Sequence, residues 1–147
     1  IDIHEKMHGL LLAMSEDVRA QRHLDELIGL LRRKRQLRRA VTLAKDMLSR
    51  RPDFRPSQPD DTLALAEEMH KAREDQLALR LLINLHKRFP EFEGVSRAYL
   101  LAARIFSERL RDDAQAIKLL EFLTSYYPLA KEAEEVGQYL SVLRKLN

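Results

Sequence analysis

Alanine and proline return together three times, at a spacing of 38 residues: Ala40 with Pro52, Ala78 with Pro90, and Ala116 with Pro128. A period of this length marks an array of stacked supersecondary units, because a unit so small cannot bury its apolar face alone and must share it with its neighbours. Each alanine opens an apolar stripe, continued by Leu43, Ala44 and Met47, by Leu81, Leu82 and Leu85, and by Leu119, Leu120 and Leu123. The spacing i, i+3, i+4, i+7 covers one face of an α-helix. Proline then stops each helix, with Arg51, Phe89 or Tyr127 just before it. The alanine is small where a neighbouring helix must come close.

A second amphipathic segment precedes each of these helices. Its stripes are Leu24, Leu27, Ile28 and Leu31, then Leu65, Ala66 and Met69, then Tyr99, Ala102, Ala103 and Phe106. Each pair reads as a helical hairpin, turned at Arg33 to Gln36, Arg73 to Asp75 and Arg111 to Asp113, which are short and polar enough for antiparallel neighbours. Only four Gly and five Pro in 147 residues leave few other turns, so an all-α fold is expected and β structure is not.

These residues resemble the tetratricopeptide repeat. The first copy reads Leu24-x2-Leu27-Ile28-x2-Leu31 with Ala40-x3-Ala44 and Pro52. The second is Thr62-x2-Leu65-Ala66-x2-Met69 with Ala78-x3-Leu82 and Pro90, and the third Tyr99-x2-Ala102-Ala103-x2-Phe106 with Ala116-x3-Leu120 and Pro128. A half-copy, Ala133-x2-Val136-Gly137-x2-Leu140, looks like a first helix used as a terminal cap. The resemblance implies a right-handed α-solenoid of about three hairpins with helical ends, in one domain: repeats at 17–52, 60–90 and 94–128, and a capping helix at 129–146. Residues 1–14 carry Ile3, Met7, Leu10, Leu11 and Met14 at helical spacing, either as the second helix of an earlier repeat or as a dedicated cap.

The copies depart from the family in three ways. There is no Trp, Ile28 is large where the family prefers a small residue, and the period exceeds the usual 34 or so residues. After Pro52, the prolines Pro56 and Pro59 predict a loop ending in Asp60 or Asp61 as N-cap. After Pro90, residues Glu91 to Ser96 could add a turn to the following helix. The third copy also has one residue more than the others between its first-helix packing site and Ala116.

In the family, first helices line a concave surface that binds peptides, and the resemblance implies a non-catalytic protein-interaction scaffold. Carried onto this chain, that surface would show Arg22, Asp25, Arg32 and Arg33, then Leu63, Glu67, His70 and Lys71, then Arg97, Leu100, Arg104 and Glu108. Its cationic balance suggests a protein or peptide partner that is acidic, since Arg suits carboxylates through bidentate contacts. The asparagines of the family's carboxylate clamp are missing, because Asn occurs only at 84 and 147. Alternatives are a self-associating assembly domain of a larger, membrane-anchored bacterial-type protein, pairing through Ile3, Met7 or Leu10 as a homo-oligomer, or a repeat region attached to a zinc metallopeptidase.

The last alternative comes from His4-Glu5-Lys6-Met7-His8, which fits H-E-x-x-H. Lys6 opposes a bound Zn²⁺, and His23, His70 and His86 are isolated and show no ligand spacing, so neither catalysis nor a metal is expected. No Gly-rich phosphate loop or nucleophile turn is present, and no cofactor is expected. With no Cys, disulfide and thiolate chemistry are excluded. Net charge is +3, but Arg32, Arg33, Lys34, Arg35, Arg38 and Arg39 crowd into eight residues. That run reads as a solvated turn, as a site for an anionic membrane surface, or, lacking aromatics for stacking, less readily as one for nucleic acid. A cytoplasmic location is favoured, or a membrane-tethered or periplasmic one if an upstream segment precedes Ile1.

Overall fold

The computed structural model describes the backbone from Asp2 to Asn147 and the side chains from Asp17 onward. Among the described residues every regular element is helical. The chain divides into two units, 1–57 and 58–147. His4, Glu5, His8 and the apolar stripe of residues 3–14 lie outside the described side chains.

In the first unit, α1 (Asp2–Arg33) packs against α2 (Leu37–Arg50). Helix α1 runs without a break from Asp2 to Arg33. Ile28, Ala40 and Ala44 are fully buried, and Leu24, Leu31, Met47 and Leu48 nearly so, which is the core expected from the stripes. Leu43 falls at the stripe's edge and stays exposed. Ile28 is large where the family prefers a small residue, yet it sits wholly in the core. After Pro52 the chain folds back on α1. Phe54 is buried, Ser57 donates from its N–H and Oγ to the Asp25 carboxylate at 2.7 and 2.5 Å, and Arg51 pairs with Asp17.

In the second unit, α3 (Pro59–Lys71) packs on α4 (Asp75–Leu82), and a single-turn helix α5 (Leu85–Arg88) follows. Helix α6 (Val95–Arg104) packs on α4 and on α7 (Asp113–Tyr126), which in turn packs on α8 (Ala133–Leu146). Ala78, Ala103 and Ala116 are fully buried, as close approach of neighbouring helices requires, beside Leu65, Met69, Leu81, Leu85, Ile105 and Leu120. Each large side chain so buried contributes about 1.5–3 kcal/mol.

The junctions differ from expectation. Pro59 is the first residue of α3, with Gln58 as N-cap; Asp60 and Asp61 fall inside the first turn, because proline at N1 has no amide to leave unpaired. Residues 91–94 stay outside α6, whose N-cap is Gly94. A Cβ on Gly94 would lie 2.4 Å from the tip of the Phe92 ring, so any larger residue would turn that ring aside. Helix α8 begins at Ala133, after turns at 128–132.

The half-helix from Ala78 to Pro90 is broken where continuity was expected. Ile83 is extended and Asn84 is left-handed, at φ 58° and ψ 23°. Asparagine is one of the few residues that tolerate that region. The backbone groups released by the break find tertiary partners. Arg88 donates to the Leu81 carbonyl at 2.6 Å, and the Tyr99 hydroxyl accepts from the His86 amide at 3.1 Å.

The three hairpin turns share a feature that residue types did not reveal. Arg35, Arg73 and Arg111, again 38 residues apart, all have positive φ, at 57°, 62° and 52°. The first two close as Schellman motifs: Arg35 N–H donates to Arg32 and Gln36 N–H to Leu31, then Arg73 to His70 and Glu74 to Met69. The third reaches one residue further, with Asp112 N–H donating to the Phe106 carbonyl. A π-helical segment, Ile105–Arg109, precedes it. This segment takes up the extra residue of the third copy, so that both the buried stripe of α6 and the turn at Arg111 keep their places.

Candidate protein-binding surface

Two ion pairs join the helices that open successive hairpins of the second unit. Arg97 of α6 contacts Glu67 of α3 at 2.9 Å, and Arg104 of α6 meets Glu135 of α8. Each pair spans helices about thirty residues apart in sequence, so α3, α6 and α8 present one charged row. The row is partly exposed throughout, and such pairs are worth about 0–1 kcal/mol each. An incoming carboxylate could displace Glu67 or Glu135 at little cost.

The other expected groove residues divide. Arg22, Arg33, Lys71 and Glu108 are exposed, Lys71 lying 3.8 Å from Glu68. Arg32 is half-buried and interacts within the chain. Leu63 and Leu100 are buried, at 8% and 3% exposure, and belong to the core rather than to an open surface. Asp25 has both carboxylate oxygens on Ser57. His70 turns toward its own hairpin partner, with Nδ1 2.7 Å from Asp75 at the start of α4. Phase errors of this kind arise because an i, i+3, i+4 stripe has two flanks, and residue spacing does not say which flank a neighbouring hairpin covers.

On another part of the unit, His86, Tyr99, Phe122, Tyr126 and Tyr127 form a ring cluster with centroids 4.8–6.1 Å apart. The Tyr99 oxygen accepts from the His86 amide at 3.1 Å and lies 2.5 Å from His86 Nδ1. Burial raises the Tyr99 phenol above its usual range and lowers His86, the latter helped by Lys87, so both stay neutral near pH 7. Beside the cluster a cleft of about 480 Å³ is lined by Pro59, Arg88, Phe89, Pro90, Glu91 and Phe92. Sequence periodicity missed this region because it depends on the break at Asn84.

No group of three metal-ligating residues occurs among the described residues, and no helix there is long and apolar enough to cross a membrane. Comparison with protein-family models, curated proteins and solved structures gives no match.

Proposed function

We propose that this chain is a tetratricopeptide-like right-handed α-solenoid that acts as a non-catalytic scaffold, holding an acidic segment of a partner protein against its first helices. The observation that carries this reading is the row formed by Glu67, Arg97, Arg104 and Glu135 on α3, α6 and α8. The arginines are held in place by weak pairs, so they are ordered before binding yet exchangeable. Arg suits the task because its planar fork engages carboxylates two bonds at a time. Cores below the row are filled by the buried alanines and leucines, which keeps the helices in fixed register.

The test is fluorescence anisotropy with labelled peptides of about twelve residues, one rich in Asp and Glu and one with those residues changed to Lys. Wild type is expected to prefer the acidic peptide at least tenfold, and Arg97→Glu with Arg104→Glu to reverse or abolish that preference while keeping the helical circular dichroism. Equal binding of both peptides by wild type, or an unchanged preference in the variant, would refute the reading.

A further inference from the structure

From the α1–α2 turn we infer a second interaction surface: a basic tip that docks on the anionic headgroup surface of a lipid bilayer. The three hairpin turns are internal controls for one another, since each places an arginine in the left-handed position at 35, 73 and 111. In the second and third turns the next two residues are acidic, Glu74–Asp75 and Asp112–Asp113, and Asp75 and Asp113 lie in the first turns of α4 and α7, where the helix dipole favours them. At the equivalent places the first turn has Gln36–Leu37. Helix α2 has no acid in its first turn and carries Arg38 and Arg39 there, against its dipole.

No acidic residue occurs between Glu26 and Asp46, a stretch that includes Arg32, Arg33, Lys34, Arg35, Arg38, Arg39 and Lys45. All of these but Arg32 are exposed; Arg32, Arg38 and Lys45 interact within the chain, and Arg33, Lys34, Arg35 and Arg39 carry the remaining exposed charge of the turn. A fold that sets acids beside two of its turns and leaves Arg33, Lys34, Arg35 and Arg39 with none beside them in sequence, at a cost to helix stability, offers those four charges to an external anion.

The geometry favours a bilayer over the other polyanions. The four cations sit together at the turn that joins α1 to α2. The first 53 residues contain no Phe, Tyr or Trp on which a nucleic-acid base could stack. Leu30 and Leu43, exposed at 40% and 39%, flank the turn on the two helices, and Leu37 is half-buried within it. Cations with adjacent exposed leucines match the boundary between headgroups and acyl chains.

Flotation of the full chain with vesicles tests this. Vesicles of phosphatidylcholine alone are compared with vesicles containing about 30 mol % phosphatidylserine, at ionic strengths of about 0.1 and 0.5 M. Wild type is expected to float only with the anionic vesicles and only at the lower salt. Changing Arg33, Lys34, Arg35 and Arg39 together to Gln should weaken partition at least about a hundredfold, each cation near the surface being worth about fivefold. Arg35→Gly guards against a trivial loss of folding: glycine suits the left-handed turn, so this variant should melt at or above the wild-type temperature yet partition about fivefold less. Absence of wild-type flotation, equal flotation with neutral vesicles, or an unaffected quadruple variant would overturn the inference. So would a 20-base-pair duplex bound more tightly than the anionic vesicles through the same four residues, which would assign the tip to nucleic acid.

Discussion

Deleting Glu108 should convert the π-helical segment into ordinary α-helix with little loss of stability. Leu110 N–H now donates to the Ile105 carbonyl five residues back, and Asp112 N–H to the Phe106 carbonyl six back. Without Glu108 the same pairs would be four and five apart, which are the α-helical bond and the Schellman closure already seen at Gln36 and Glu74. Glu108 itself is exposed, so no packed side chain is removed. The expected change is within about 1 kcal/mol, the scale of one backbone hydrogen bond. Deleting Glu68 from α3 is the control. It rotates everything after it by about 100° about the helix axis, which takes Met69 from a fully buried site and brings His70 into it. Losing a buried Met side chain and burying a polar one should cost about 3 kcal/mol or more. All four tyrosines lie in the second unit, so tyrosine fluorescence during urea unfolding reports on that unit. With a slope of about 2 kcal/mol per molar, the Glu68 deletion should lower the midpoint by about 1.5 M and the Glu108 deletion by less than about 0.5 M. Equal losses from the two deletions would show that the π segment is not an inserted residue held at a tolerant site.

Gly94→Ala should destabilise by no more than about 1 kcal/mol in the same assay, because the Phe92 ring tip it strikes can turn aside. Lowered in the folded state, His86 takes up a proton more readily when unfolded, so stability is expected to fall as pH drops below about 6.5 toward the folded value. Melting temperatures measured between pH 7.5 and 5 should show that loss in wild type and a smaller one in His86→Gln. Tyr99→Phe removes the hydroxyl that contacts both the amide and Nδ1 of His86; it should cost about 1–3 kcal/mol in the same urea assay. Arg73→Gly should raise stability by about 1 kcal/mol, since it relieves a left-handed non-glycine residue; a loss of stability would mean that the Arg73 side chain supports the turn.

Much of the helical core could be read from residue types because a stripe of apolar residues has only one way to be buried. Ala40, Ala78 and Ala116 were assigned to close contacts and are fully buried. The breaks were less legible. Asn84 forms a left-handed turn inside a segment whose apolar periodicity is uninterrupted, and what holds that turn open is a set of distant partners, Tyr99 for the His86 amide and the Arg88 side chain for the Leu81 carbonyl. Those partners lie 13 and 7 residues away in sequence, and neither propensity nor apolar periodicity says that they will meet. The π segment was half-legible: counting showed one residue too many, and only the backbone shows that the helix, rather than the turn, absorbs it.

The charged surface was legible in composition and not in availability. Arginines at 97 and 104 can be placed on a first-helix face by spacing alone, but whether they face solvent or a carboxylate depends on Glu67 and Glu135, which other hairpins bring alongside. The same distinction separates the turns. Arg73 and Arg111 are followed at once by acids, and Asp75 and Asp113 are engaged further, with His70 and Arg109 near the former and Ser107 and Asn147 on the latter. Those last two contacts, Asn147 first, hold the Asp113 carboxyl below its usual range. At those two turns the acidic charge is taken up beside the turn itself. The first turn has no acid within reach along its own sequence, and its left-handed arginine sits where glycine would be easier, so local stability does not explain its composition. Where three turns share a backbone conformation, the one that lacks the acids of the other two is where composition departs from what helix stability favours.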